Sequence, residues 1–349
     1  MPAPSVIEKQ LLFTLDDPNR SFARVGLDCD DAVPGPRRFR RTGTGWQLAI
    51  PRPDLARLEY RLVVTLRGGV TDVICDPDNP ERVQTAFGDR SVALMPGYRR
   101  PGWMRRRVRA GEITSVVHED SRLGPMPVHL WSPAGLTADQ PARLLLVNDG
   151  PEYAELASLT RYAAVMQADG TLPAFRMALM QPVNRDEWYA ANPRYLTACG
   201  NAMAAIADQV ATEPGMVAMG ASLGGLSAVL LAVSSPDAFV AVFSQSGSFF
   251  RHALDPQESE YPFFGRVTAS VDALTRRRRR LRQPIQVGLT CGEHEENMAN
   301  NRAVVESLRA AGHDVALRSL PDLHNYTAWR DGLHPSLTAL LQAAWATPG

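Results

Sequence analysis

Between Leu11 and Asp76 the apolar positions come in short, partly alternating runs: LLFTLDD, ARVGLDC, GWQLAIP, LEYRLVVTLRGGV and TDVICD. Turn-forming stretches (DDPN, RTGTG, DPDNP) part them at a spacing that predicts a small β-sandwich, and nothing among them has the period of an amphipathic helix. After Gly111 the pattern changes. Two strand candidates, ITSVVHED and MPVHLWSP, flank SRLG. Apolar strands and helical stretches then alternate: RLLLVND with LASLTRYAAVMQADG, FRMALMQPV with PRYLTACGNAMAAIADQVA, GMVAMGA with GGLSAVLLAVSS, PIQVGLTCG with NNRAVVESLRAAG, and VALRSLPD with TAWRDGLHPSLTALLQAAW. This texture predicts an α/β fold, a mostly parallel sheet with helices on both faces. Ligands of such sheets gather at the carboxyl ends of the strands, so the residues just past each strand are the ones to search.

A chain of 349 residues is long enough for about two domains. The expected division is 1–110, sandwich plus connector, and 111–349, the α/β part; Pro96 to Gly111 (PGYRRPGWMRRRVRAG) reads as a solvated linker. Lys+Arg and Asp+Glu are both 37, and this zero balance argues against a wholesale nucleic-acid or membrane-surface binder. The run Arg276–Arg280 with Arg282 reads as a solvated helix face. The longest apolar run, LSAVLLAV, is too short to span a bilayer, and the first residues lack the pattern of a secretory leader. The four cysteines lie far apart with no CxxC pair, which fits free thiols in a reducing cytoplasm better than a disulfide framework or zinc site. The expectation is a cytoplasmic protein; its oligomeric state is left open.

The candidate chemistry begins at Gly220-Ala221-Ser222-Leu223-Gly224, a G-x-S-x-G between a predicted strand and a predicted helix. At such a sharp turn, bulky flanking side chains would clash, and the serine Oγ is lifted to the helix N-terminus. Ser222 is therefore the candidate nucleophile. Its partners should follow in the order acid, then histidine. His324 comes just after the last strand candidate and before the final helical stretch, where the base belongs; His294, His313 and His334 are less well placed. The acid should follow PIQVGLTCG, where Glu293, Glu295 and Glu296 compete and spacing does not choose among them. For the oxyanion hole, Leu223 supplies one N–H. The second comes from the loop after RLLLVND; Pro151 has no N–H, which leaves Gly150, Glu152 or Tyr153.

These residues resemble the enterochelin (ferric enterobactin) esterase family of α/β-hydrolases. The landmarks run in order along most of the chain: TLDDPNR, DPDNP with FGDRSVALMP, LLLVNDGPEY, GASLGGLSA, SPDAFVAVFSQSGSFF, CGEHEE and HNYTAWRDGL. SQSGS and H-x4-WR are the most specific of them. The resemblance implies that the sandwich is Ig-like and helps to cover the active site, that Glu295 is the acid, and that Arg185 (in NRDEWYAAN) faces substrate or positions its loop. Two departures stand out. Asp322-Leu323-His324-Asn325 replaces the family's Gly-Gly-His-Asp, narrowing backbone freedom beside the base, and Pro151 follows Asp-Gly.

The activity implied is hydrolysis of an ester in a catecholate siderophore, a small-molecule substrate that would bring its own ferric ion. The chemistry calls for no metal or organic cofactor of the protein. The rivals are an esterase or acyltransferase acting on acyl or feruloyl sugars with the same triad, and a non-catalytic glycan-binding or scaffold protein.

Overall fold

The computed structural model describes residues 4–276 and 283–346. The chain forms two units, one of residues 1–100 with 321–325 and one of 101–320 with 326–349.

In the first unit, β1 (Ser5–Ile7), β2 (Gln10–Asp16), β4 (Arg40–Thr42) and β5 (Gly45–Pro51) make an antiparallel sheet in the order β1-β2-β5-β4. The strands β3 (Phe22–Cys29), β6 (Arg57–Leu66), β8 (Arg82–Thr85) and β9 (Gly88–Leu94) make a second, in the order β3-β6-β9-β8, with β7 (Thr71–Ile74) paired to β6. Period-two alternation puts Leu11, Phe13 and Leu15 of β2 in the same core as Leu58, Tyr60, Leu62 and Val64 of β6. Phe13 meets Tyr60 edge-on at 4.9 Å between ring centroids. The expected all-β sandwich is thus present. Its strands β1, β4, β8 and β9 go beyond the sequence expectation, since short or polar runs such as RVQT carry no hydrophobic alternation.

Leu323 belongs to this same apolar core. Beside it, Arg57 is buried and donates through Nη2 to Asp322 Oδ2 at 2.6 Å and to Asn325 Oδ1 at 3.0 Å, and through Nη1 to Glu59 Oε1 at 2.8 Å. The Ala56 amide donates to the Pro321 carbonyl at 2.6 Å. Burial pushes Asp322 up to about 6 while Arg57 pulls it down. Replacing Arg57 by Met leaves buried carboxylates without their cation, a class of change that costs about 3–5 kcal/mol. Because the folded-state pKa of Asp322 lies above its unfolded value, its ionisation subtracts stability as pH rises through the folded value, and loss of Arg57 enlarges that loss. Urea titration of Arg57→Met should show a larger deficit at pH 8 than at pH 5; a deficit equal at both would contradict this.

The second unit contains an eight-stranded sheet in the order β10-β11-β13-β12-β14-β15-β16-β17. The strands are β10 (Glu112–Asp120), β11 (Gly124–Ser132), β12 (Arg143–Val147), β13 (Phe175–Met180), β14 (Met216–Ala221), β15 (Phe239–Gln245), β16 (Gln286–Gly292) and β17 (Asp314–Leu320). β10, β11 and β13 pair antiparallel, while β13 with β12 and the strands from β12 on to β17 pair parallel. The helices are α1 (Gly150–Leu156), α2 (Leu159–Ala168), α3 (Arg185–Tyr189), α4 (Pro193–Ala207), α5 (Leu223–Ser234), α6 (Phe264–Arg276), α7 (Asn297–Ala310), α8 (Tyr326–Gly332) and α9 (Thr338–Ala344). Leu144 and Leu146 of β12 pack with residues of α4 to α7 on one face, and Leu145 and Val147 with residues of α1, α2, α8 and α9 on the other. Both faces are covered, as continuous apolar strands require. This is the α/β-hydrolase sheet.

Two local readings change, and a third falls mostly outside the described residues. The stretch that reads as a solvated connector contains Trp103, buried edge-on against Tyr162 at 5.6 Å between centroids. The last helical stretch is broken into α8 and α9 at Pro335, where His334 is extended. Of the arginine run, Arg276 ends α6 and pairs with Asp272 at 2.7 Å, while Arg277–Arg280 and Arg282 lie outside the described residues. Among the described residues no helix is long and apolar enough to cross a membrane.

Candidate active site

β14 delivers Ser222 at φ 56°, ψ −128°, a backbone state that costs a non-glycine residue about 1–3 kcal/mol and survives only where the surroundings impose it. The imposing contacts are visible. The Ser222 amide donates to the Gln245 carbonyl at 3.0 Å, and the Ser222 carbonyl accepts from the amides of Gly225 at 3.0 Å, Leu226 at 3.1 Å and Ser248 at 3.1 Å. A Cβ at Gly220 would strike the Gly224 carbonyl, which is why the turn closes only with glycine there. Leu223 opens α5, so its N–H has no carbonyl one turn earlier to meet. The Ser222 Oγ lies 3.1 Å from the Ser248 Oγ.

Of the three competing glutamates only Glu295 is buried. Its Oε1 accepts from the Gly292 amide at 2.7 Å and from the Ser246 Oγ at 2.7 Å. Glu293 and Glu296 are exposed, the first accepting from Ser319 Oγ at 2.7 Å and the second from Gln257 Nε2 at 3.3 Å. Strand β15, absent from the sequence expectation, ties acid and nucleophile together. Past its end, Ser246 holds Glu295, and Ser248 meets Ser222. Its signal in the sequence is an apolar run, FVAVF, ending in SQSGS.

Among the histidines, His313 is buried and accepts from the Ile285 amide at 3.2 Å, and burial lowers its pKa from the ordinary imidazole value. His334 shares a hydrogen bond with Thr338 Oγ1 at 3.0 Å. His324 has an exposed side chain and lies in the 321–325 segment between β17 and α8, flanked by the Asp322, Leu323 and Asn325 contacts described above.

The segment after β12 is helical from Gly150 onward, a start that sequence alone does not show. A Cβ at Gly150 would run into the Leu179 backbone, so the helix begins against β13 with glycine. The Tyr153 amide closes the first turn by donating to the Asp149 carbonyl at 2.9 Å. Asn148 braces the elbow from this side, donating through Nδ2 to the Gly224 carbonyl at 2.8 Å and accepting from the Tyr195 hydroxyl at 2.7 Å.

Arg185, at the start of α3, forks onto Asp149: Nε reaches Oδ1 at 2.9 Å and Oδ2 at 3.1 Å, and Nη2 reaches Oδ2 at 2.8 Å. Burial disfavours the guanidinium charge, but the Asp149 carboxylate outweighs it and holds Arg185 above its usual range. Asp149 is itself almost fully buried, in left-handed backbone, with its amide donating to the Tyr189 hydroxyl at 2.8 Å.

A strained serine past a parallel strand, a helix N-terminus beside it, and a buried carboxylate one connection away are the parts of acyl-transfer chemistry. The sequence model of the family described as "Putative esterase" matches residues 125–340, more than half of the chain. The chain belongs to the esterase family. It is an esterase of the serine-hydrolase class. The iron(III) enterobactin esterase of Escherichia coli strain CFT073 is 28% identical to this esterase over 314 residues, 84% of this chain and 72% of that protein. The crystal structure of ferric enterobactin esterase from Salmonella typhimurium superposes on it with a TM-score of 0.82 at 21% identity, covering 99% of this chain and 98% of the other. The enterobactin esterase of Shigella flexneri, solved in the presence of enterobactin, gives 0.78 at 20% identity over 96% and 94% of the two chains. At these identities the structural likeness establishes the fold.

Proposed function

We propose that this esterase hydrolyses the ester bonds of a catecholate siderophore in the cytoplasm, releasing its iron, through a triad of Ser222, His324 and Glu295. Ser222 Oγ attacks the ester carbonyl carbon as His324 takes its proton. The leaving alcohol departs with that proton returned by the imidazolium. Water, deprotonated by His324, then attacks the acyl-enzyme and frees the acid and Ser222. Glu295 holds the imidazole tautomer and offsets the imidazolium charge. Leu223 N–H is one oxyanion donor. Gly150 or Glu152 supplies the other, because the Tyr153 amide closes the first turn of α1. Arg185 acts on this hole through Asp149, holding the loop from which Gly150 projects.

The observation that carries the reading is the buried Glu295, joined to the strained Ser222 through one turn, in a chain whose curated and structural relatives include enterobactin esterases. The test is product analysis of the purified full-length protein with iron-loaded and iron-free enterobactin. Cleavage products that form with the wild type and are absent with Ser222→Ala are expected. Intact enterobactin alongside turnover of acylated or feruloylated sugars would transfer the same triad to a carbohydrate ester.

A further inference from the structure

The end of the otherwise apolar β15 and the turn after it form a buried polar run: Ser244, Gln245, Ser246 and Ser248 are all buried. Buried hydroxyls and amides are retained where they have partners, and here most of the partners lead to the site. The Ser246 amide donates to the Thr290 carbonyl at 2.7 Å, fixing this turn to β16. Its Oγ donates to Glu295 Oε1 at 2.7 Å while accepting from Trp329 Nε1 at 3.0 Å. The indole N–H can only donate, so the Ser246 hydroxyl proton is directed to the carboxylate. Ser246 is in left-handed backbone, φ 48°, uncommon for a residue with a side chain and kept only where neighbours over-determine it. The Asn301 Nδ2 donates to the Gly247 carbonyl at 2.9 Å, pinning the middle of the turn. One residue later, the Ser248 amide and hydroxyl meet the Ser222 carbonyl and Oγ, both at 3.1 Å.

We propose that the Ser246–Ser248 turn holds acid and nucleophile in register, Ser246 being a positioning residue that acts through Glu295 and Ser248 the residue that seats the Ser222 hydroxyl. The proposal rests on the triad assigned above. One oxygen of Glu295 is committed to the Ser246 hydroxyl and the Gly292 amide, so the carboxylate has a single orientation in which to meet an imidazole. A hydrogen bond to a charged group has the strength that corresponds to about a tenfold change in rate when it serves the transition state.

The test uses full-length variants, a p-nitrophenyl ester and a fluorophosphonate probe. Ser246→Ala should lower kcat about tenfold with KM within about twofold, and in a Glu295→Gln background it should cost less than about twofold more, because the path through which it acts is already gone. Trp329→Phe, which keeps an aromatic ring and removes the donor, should lower kcat in the same direction and be silent in the Ser246→Ala background. Ser248→Ala should slow fluorophosphonate labelling of Ser222 by about tenfold. Wild-type kcat in Ser246→Ala, or an undiminished loss in the Glu295→Gln background, overturns the role of Ser246; wild-type labelling of Ser248→Ala overturns that of Ser248. Should Ser246→Ala not fold, Trp329→Phe alone and combined with Glu295→Gln decides the matter by the same criteria. The triad reading fails separately, through turnover retained by Ser222→Ala or Glu295→Gln themselves.

Discussion

Ser222→Ala will have no measurable esterase activity, a loss of about 10⁴–10⁶-fold in kcat, with its thermal midpoint essentially unchanged. The stability half of that expectation follows from the backbone. At φ 56° alanine is as strained as serine, and the amide and carbonyl hydrogen bonds of residue 222 to Gln245, Gly225, Leu226 and Ser248 involve no side chain. What disappears is one hydroxyl and its 3.1 Å contact with Ser248. Turnover of p-nitrophenyl esters together with fluorophosphonate labelling checks it. A variant that still turns over substrate at about a tenth of the wild-type rate would place the nucleophile elsewhere.

Glu295→Gln should lose about 10³–10⁴-fold in kcat, whereas Glu293→Gln and Glu296→Gln should stay within about twofold of the wild type. In the Glu295→Gln variant the carboxamide oxygen can keep the Gly292 and Ser246 donors, which forces the new NH₂ into the position of the second carboxylate oxygen. A donor there presents the wrong polarity to an imidazole N–H, so the ring is turned or held in the wrong tautomer. The two outer glutamates have neighbours of their own at the surface, Ser319 and Gln257, and neither is buried. Equal losses in all three variants would contradict the assignment of Glu295.

How far the sequence discloses this arrangement depends on which physical property each residue uses. Ser222 is legible because a strand–helix turn with glycines at both sides leaves a local trace. Glu295 is not separable from its neighbours by spacing, since burial decides among them and burial is a property of the assembled sheet; only family resemblance singles it out. The start of α1 at Gly150 is hidden for a similar reason. It depends on how closely the chain approaches Leu179, a residue of another strand. The other central strands read clearly, being apolar on both faces, yet β15 escapes because its last residues are polar. Gln245 at its end and Ser246 just past it are buried by partners remote in sequence: Tyr153, Thr290, Trp329 and Glu295. The Asp322-Leu323 pair beside His324 reads in the sequence as stiffening a loop. Its larger role lies in packing, with Leu323 inside the sandwich core and Asp322 on Arg57.

That last contact joins residues 265 positions apart, and it makes the first unit discontinuous along the chain. During synthesis the amino-terminal strands β1 to β9 emerge first, but the hydrophobic interior they enclose lacks a side chain, and Arg57 has Glu59 but not Asp322 as a carboxylate partner, until the ribosome has passed position 323. The sandwich is thus begun early and finished late. A fragment ending at residue 100 would keep the Arg57–Glu59 pair but lose the Asp322 and Asn325 acceptors of that buried guanidinium, so the natural boundary for dissecting this protein is not a single cut.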